Sequence, residues 1–479
     1  MLGELLHSKV KKLYYNISKN KDKMIKYIAI GLMLLASIGI NAQSEENQSS
    51  EKLSLVQAID HALKNNSDLM KANIDISISK ETIKQTVAIG LPQISTTAAY
   101  QHYLTVPGQW IKNFAFQPGA PEYIFLQFQQ KVNSTANISV NQLLFDGSYL
   151  VGLKATQEFL NMSKFIKNQT EAELISNVTK SYLAVVSTEL NIELLNANIE
   201  TVKKSLHDVT AMYEEGFTED LDVKRLKLSL SNLEVEKQKL DNAVSFLKNA
   251  LKVQIGMSVS KEIELTDKIE TVDEKITMID SDNMEKFDVS MRPEYSILDQ
   301  SIRLGKLDKK RYQMGFLPRL VGFYQHQEMT MRPEFNFFES NLTPNNNWVP
   351  SDVVGLQLQW TLFDGLSTAS KIREVQYKID QAQIDLDNFK NAATMQYYNA
   401  LQTIKVRVEQ ADIQKSNLNL ANEIHEKTLL KFKEGVGSTL EISQAETELK
   451  AAQINYINAL YDLVIAKIDY YNSIGKTIK

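Results

Sequence analysis

Cysteine is absent from all 479 residues. That excludes disulfides, thiolate nucleophiles, zinc–thiolate centres and a lipid carried on an N-terminal cysteine. No basic block or stripe stands out either. The 53 Lys and Arg are outnumbered by 58 Asp and Glu, for a formal charge of −5 and a pI of about 5.9, so nucleic acid is not an expected partner. The six histidines (His7, His61, His102, His207, His326 and His425) are scattered without metal-ligand spacing, and the 14 methionines form no cluster. His425, beside Glu423 and Glu426, reads as part of a solvated helix face. His-Glu-x-x-His, Gly-x-Ser-x-Gly and a phosphate-cradling glycine loop are all missing. No catalytic residue, metal or cofactor is therefore expected, and an enzyme is the weakest functional reading.

At the N-terminus, Lys19, Lys21, Lys23 and Lys26 precede a run from Tyr27 to Ile40 that ends Ile40-Asn41-Ala42-Gln43. A basic start, a short apolar core and a small residue at the end are the parts of a secretory signal peptide. The alternative is an uncleaved anchor, but the run of about 14 residues falls short of the roughly 20 that span a bilayer. We assign 1–42 as signal peptide with an upstream extension, with Met1 and Met24 both open as the start. With 43% hydrophobic residues, the exported remainder can bury a core.

The stretch Phe432-Lys433-Glu434-Gly435-Val436-Gly437-Ser438-Thr439-Leu440-Glu441-Ile442 breaks what otherwise reads as two long helices. It has a counterpart at Tyr213-Glu214-Glu215-Gly216-Phe217-Thr218-Glu219-Asp220-Leu221-Asp222-Val223. Gly216/Gly435, Leu221/Leu440, Asp222/Glu441 and Val223/Ile442 all differ by 219 positions (435 − 216 = 219), as do Ile255-Gly256 and Ile474-Gly475. Two copies of one large unit are expected, at 43–256 and 291–479, joined by an irregular segment at 257–290.

Each copy carries the same order of patterns. In the first, a short amphipathic helix contains Leu55, Ile59, Ala62 and Leu63. Asn65-Asn66-Ser67 breaks it, with Ser67 the expected cap of a second helix that Leu91-Pro92 ends. Strands follow at about 94–104 and 135–145, with a Pro- and Gly-bearing loop at 106–133 between them. In the second strand Ala136, Ile138, Val140 and Leu144 alternate with Asn137, Ser139 and Asn141. A helix of about 149–214 would be a rod near 100 Å long, and another helix spans 219–255. In the second copy, strands are expected at about 320–329 and 353–363, a rod at 366–434 and a last helix at 439–474. Leu144-Phe145-Asp146-Gly147 recurs as Leu362-Phe363-Asp364-Gly365 at the strand-to-rod junction.

The helices after the breaks are heptad-patterned. Ile442, Ala445, Leu449, Ala452, Tyr456, Ala459, Leu463, Ala466 and Tyr470 recur at 3/4 spacing. Shifted by 219, the partner helix reads Val223, Leu226, Leu230, Leu233, Lys237, Leu240, Val244, Leu247 and Leu251. That spacing is coiled-coil packing. The last helix has a second seam, Ile457, Tyr461, Val464, Ile468 and Tyr471, so it should touch neighbours on two sides.

Four strands of about 11 residues, apolar on one face and Gln, Asn, Ser or Thr on the other, have the length of transmembrane β-strands. Four cannot close a barrel, and lipid does not tolerate open edges. Either several chains share one barrel or the strands form a soluble layer. The pattern alone leaves both open.

The doubled order of helices, strands, rod, break and helix, the paired Leu-Phe-Asp-Gly junctions and the Glu-Gly breaks followed by Leu-Asp-Val and Leu-Glu-Ile together resemble the TolC-type outer membrane efflux proteins. The likeness covers essentially the whole mature chain. It implies a mainly α fold with a transmembrane β-barrel portion: a homotrimer sharing a 12-stranded barrel in outer membrane lipid, above a 12-helix α-barrel of coiled coils that crosses the periplasm. It implies a passive exit duct for small molecules, working with an inner membrane transporter and a periplasmic adaptor protein. By position, Gly216, Phe217, Gly435, Val436 and Gly437 would be the periplasmic tip where the adaptor docks. Asp222 and Glu441 would ring the constriction, although both also suit a first-turn acid favoured by the helix dipole. Gln444 stands where a second acidic position is expected, a departure from a double acidic ring. A type I protein secretion duct is the alternative within transport, and a soluble periplasmic coiled-coil scaffold the alternative outside it.

Overall fold

In the computed structural model the described residues are 51–113, 119, 121–269, 271–272, 287–335, 347–434 and 436–477. The expected signal peptide at 1–42 and the site residue Gly435 lie outside them, as does 273–286 of the joining segment.

The fold is mainly helical. Helix α1 (Leu55–Asn65) opens with a capping box in which Ser54 and Gln57 satisfy each other's backbone N–H groups. Helix α2 (Ser67–Ile89) is capped by Asn66, whose side chain accepts from the N–H groups of Asp68 and Leu69. The sequence pointed to Ser67 as that cap. Asn66 takes the role because its extended backbone aims the amide oxygen at the next two free N–H groups, and Ser67 is already the first helical residue.

The rods are α3 (Gly147–Glu214, 68 residues) and α6 (Ser367–Lys433, 67 residues), each about 100 Å long at 1.5 Å per residue. The Leu-Phe-Asp-Gly junctions have a physical reason. Asp146 accepts from the N–H groups of Ser148 and Tyr149 at the start of α3, and Asp364 accepts from the Thr368 N–H, 2.7 Å, at the start of α6. Each rod is too long to be covered by one partner. Along α3 lie α2, α4 (Asp220–Gln254) and α5 (Pro293–Met314); along α6 lie α5 and α7 (Thr439–Ser473). The ends of α4 and α7 meet the rest of the fold in the same way. Gly256 and Gly475 both have φ of +74°, and a Cβ there would come within 2.3 Å of the Asn65 carbonyl oxygen and 2.5 Å of the Met291 carbonyl oxygen respectively. Only glycine meets both demands without strain.

The main core lies where the middle of α3 meets α1, the end of α4 and the end of α7. Val178, Tyr182, Leu183, Val185, Leu251, Ile255 and Val464 are all completely buried there. A two-stranded sheet of β1 (Glu51–Leu53) and β6 (Ile263–Leu265) joins this layer. The sequence patterns showed neither strand, because three residues carry too little alternation to read. Tyr182 ties the layer together: its hydroxyl lies 2.9 Å from the Leu53 carbonyl oxygen and 3.1 Å from the Asp267 carboxylate. Burial pushes that hydroxyl well above its ordinary pKa. The two seams of α7 are both used. Ile468 and Val464 enter this core, while Ala466, Tyr470 and Ile474 pack on Tyr397 and Ile404 of α6.

At the other end, β2 (Gln93–His102), β5 (Val132–Phe145), β7 (Arg319–Arg332) and β8 (Val349–Gln359) form an antiparallel sheet in the order β2-β5-β7-β8. The row Ile94–Val140–Tyr324–Val354 belongs to one face and the row Thr97–Asn137–Gln327–Ser351 to the other. The loop after β2 holds a hairpin of β3 (Gln109–Lys112) and β4 (Tyr123–Leu126). Strand β8 ends at Gln359, before the Trp360-Leu362 alternation runs out, because its partner β7 begins opposite it at Arg319. Beyond the ladder the Trp360 indole N–H donates to the Phe316 carbonyl oxygen, 3.0 Å.

Candidate functional site

The two helix turns lie at the same end of the molecule. Leu195, Ile199, Val202 and Val209 of α3 and Val223, Leu226 and Leu233 of α4 form one apolar cluster, and Phe432, the penultimate residue of α6, packs against it. The α6–α7 turn therefore sits beside the α3–α4 turn. Sequence reading had no means to single out Phe432, since its partners are about 200 residues away.

The first turn is built by its hydrogen bonds. The Phe217 N–H donates to the Met212 carbonyl, 2.8 Å, and the Gly216 N–H to the Tyr213 carbonyl, 3.0 Å. This pair of bonds closes a helix when the residue between is left-handed, and Gly216 has φ of +81°. In the second turn the Val436 N–H donates to the Lys431 carbonyl, 3.0 Å, and the Gly437 N–H to the same oxygen, 3.1 Å. A Cβ at Gly437 would lie 2.9 Å from the Phe432 backbone nitrogen, so the chain passes too close for a side chain. Ser438 then caps α7, its Oγ accepting from the Glu441 N–H. The apolar tips project outward: Phe217 is 78% exposed and Val436 76%.

The two acids of the constriction reading differ in setting. Asp222 accepts from the Thr218 hydroxyl at 2.8 Å and lies 3.6 Å from the Arg225 guanidinium. It closes its own turn. Glu441 stands exposed in the first turn of α7. Gln444 donates to Glu448, its neighbour one turn on, at 3.1 Å.

Two coiled coils, α3–α4 and α6–α7, meet next to these turns, and polar links cross their contact. Lys450 of α7 pairs with Glu236 of α4, and the Asn198 side chain of α3 donates to Gln453 of α7 at 3.2 Å. Beside these bonds is a cavity of about 380 Å³ lined by Asn198, Val202, Asn232, Leu233, His425 and Glu446, among others. His425 is thus half-buried in the seam, where the sequence placed it on a solvated face. Burial holds its imidazole below the ordinary range. Glu446, which no sequence motif marked, has both carboxylate oxygens buried without a hydrogen-bond partner among the described residues. Burial alone pushes its carboxyl up to about 7.

Comparison with known proteins agrees with this architecture. The family model described as outer membrane efflux protein matches residues 58–256 and 312–476. Outer membrane protein TolC of Vibrio cholerae is 20% identical over 435 residues, covering 88% of this chain and 90% of that protein. The Campylobacter jejuni CmeC outer membrane channel superposes with a TM-score of 0.69 at 16% identity, over 91% of this chain and 90% of that one. The open state of the Neisseria gonorrhoeae MtrE outer membrane channel gives 0.66 at 14% identity, over 89% of each chain.

Proposed function

This chain belongs to the outer membrane efflux protein family, and from its place in the outer membrane we propose that it is the passive exit duct of a tripartite efflux system. Three copies share one 12-stranded barrel formed from the β2-β5-β7-β8 sheets. The α-helical rods continue below it through the periplasm as a 12-helix barrel. An inner membrane transporter supplies the energy, and a periplasmic adaptor grips the helix turns. In each chain, 43–256 and 291–479 are two copies of one unit, and 257–290 belongs to a layer around the middle.

The observation that carries this reading is the sheet. Its edge strands are β2 and β8, and Val354, Leu356 and Leu358 on its apolar face are 82%, 69% and 63% exposed. An uncovered apolar face suits lipid, and lipid demands that edges be paired. Pairing β8 of one chain with β2 of the next closes the ring at three. The absence of native cysteine makes the test clean. Cysteine pairs scanned along β2 and β8, beginning with Thr97→Cys and Ser351→Cys, should oxidise to covalent trimers at one register, and the trimers should conduct in planar bilayers. If no register yields trimers, or the trimers do not conduct, the shared barrel is wrong.

The turns are the docking and gating site in this proposal. Gly216 allows the reversal, and Gly435, outside the described residues, takes the same part by its position in the repeat. Gly437 lets the chain pass close, and Phe217 and Val436 offer apolar contacts to the adaptor. Asp222 and Glu441 line the constriction. Asp222 also stabilises its own turn through Thr218, so the two roles coexist. Asp222→Ala with Glu441→Ala should alter cation selectivity or cation block of single channels, and unchanged traces would remove the ring.

A further inference from the structure

The pocket between the two coiled coils is lined by a carboxylate that no described residue neutralises. Glu446 sits about two turns into α7, and neither of its oxygens has a hydrogen-bond partner among the described residues. A carboxylate in that position needs either a proton or a cation from elsewhere. The neighbouring charges do not supply one. On α7 itself, Lys450 is committed to Glu236 of α4. From α6 the facing group is His425, which burial keeps towards its neutral form. From α3 and α4 the pocket wall presents Asn198, Thr201, Ser229 and Asn232, none of them charged.

We propose that this pocket is a binding site for an organic cation, an amine carried on an apolar body, with the Glu446 carboxylate, now closed off beside the cavity, turning into it as the counter-ion. A volume of about 380 Å³ is that of a small-molecule site. Val202, Leu233 and Leu449 give it apolar walls, and Asn232 and Thr201 give it oxygen acceptors for ammonium hydrogens. An anion would meet an unpaired carboxylate. A bound metal ion would need more ligands, and among the described residues no group of three His, Asp or Glu side chains is placed to hold one. Because the empty site holds its proton up to about pH 7, an amine binding at neutral pH displaces that proton into solvent. The site rests on the pocket and not on the duct reading, so it stands or falls independently of conductance.

The test is a fluorescence titration of the purified full-length protein with dansylcadaverine, a primary amine on an aromatic body, beside its N-acetylated neutral analogue. At pH 8 the wild type should bind one amine per chain at saturation. Glu446→Gln and acetylation of the probe should each weaken binding at least tenfold. Calorimetry in two buffers should find proton release on binding at pH 7 and none at pH 9. Amine affinity within twofold in Glu446→Gln, or equal affinity for the acetylated probe, would overturn the proposal. Should Glu446→Gln fail to assemble, Ser229→Phe fills the cavity from α4 and leaves the carboxylate in place. Undiminished amine binding by that variant would overturn it equally.

Discussion

The layer around Tyr182 and the seam around Glu446 are both places where α7 meets α3, and they are built on opposite principles. At Tyr182 the contact is mainly apolar and closed: six neighbours from α3, the end of α4 and α7 are fully buried with it. Its hydroxyl reaches Leu53 and Asp267, and the pairs Lys180–Asp469 and Asn472–Ser176 add polar links at its edge. About 30 Å further along the same helices, at 1.5 Å per residue, an ion pair and an amide–amide bond cross the contact beside a cavity with both polar and apolar walls. The first arrangement can open only by exposing a core, which is costly. The second has fewer buried apolar side chains and separates in part by rehydrating polar groups, which costs less. A channel protein packed more tightly at this layer than at the seam has its looser contact near the proposed gate.

The contrast can be broken from either side. Tyr182→Ala removes a fully buried ring and leaves Asp267 with one hydrogen bond fewer. It should destabilise the protein by about 3–5 kcal/mol, seen as a lower thermal unfolding midpoint; a loss below about 1 kcal/mol would mean that the middle layer is not the anchor. Gly256→Ala forces a side chain into a left-handed backbone against Asn65 and should cost about 1–3 kcal/mol, measured the same way. Lys450→Met opens the polar link in the seam. Its stability cost should stay under about 1 kcal/mol, while single-channel open time rises; an unchanged open time would sink the idea that this seam moves.

The pH response of the seam follows from Glu446. An exposed glutamate titrates near 4.5 and this buried one at about 7, so between those values the packed seam holds a proton that the parted seam has lost. Packing is then fully favoured below pH 4.5, weakens as pH rises from 4.5 to 7, and is constant above 7. Open probability in bilayers should climb across that window, and Glu446→Gln should flatten the climb. Smallest in stability terms is Phe217→Ser with Val436→Ser, which should move the unfolding midpoint by no more than about 0.5 kcal/mol. The same pair should abolish cross-linking to the adaptor, and normal cross-linking would remove the apolar tips from the docking surface.

The turns were legible because their signals are local. A glycine and an acid in the next first turn fall within ten residues, and the 219-residue offset displays them twice. At the first turn Gly216 has positive φ and a pair of hydrogen bonds closes the helix. The heptad seams of α4 and α7 were legible for the same reason, since 3/4 spacing is written along a single helix. The cap of α2 was misjudged by one residue because Asn66 and Ser67 are both good caps, and backbone conformation decides between them. His425 was misjudged because its acidic neighbours Glu423 and Glu426 describe the outward face of α6, and the inward face depends on what α3 and α4 bring to it.

The sequence by itself determined roughly where the long helices and the four long strands run, how long the rods are, where they break and which face of the strands is apolar. Those features follow from periodicities of two and of three to four residues, which act between near neighbours. Only the tertiary structure decided that β5 lies beside β7, that Gly256 and Gly475 abut Asn65 and Met291, that Phe432 binds the two turns together and that Glu446 has no hydrogen-bond partner among the described residues. Each of these is a meeting of residues far apart in the chain. Whether a carboxylate is paired is a property of its surroundings, and no local pattern records it.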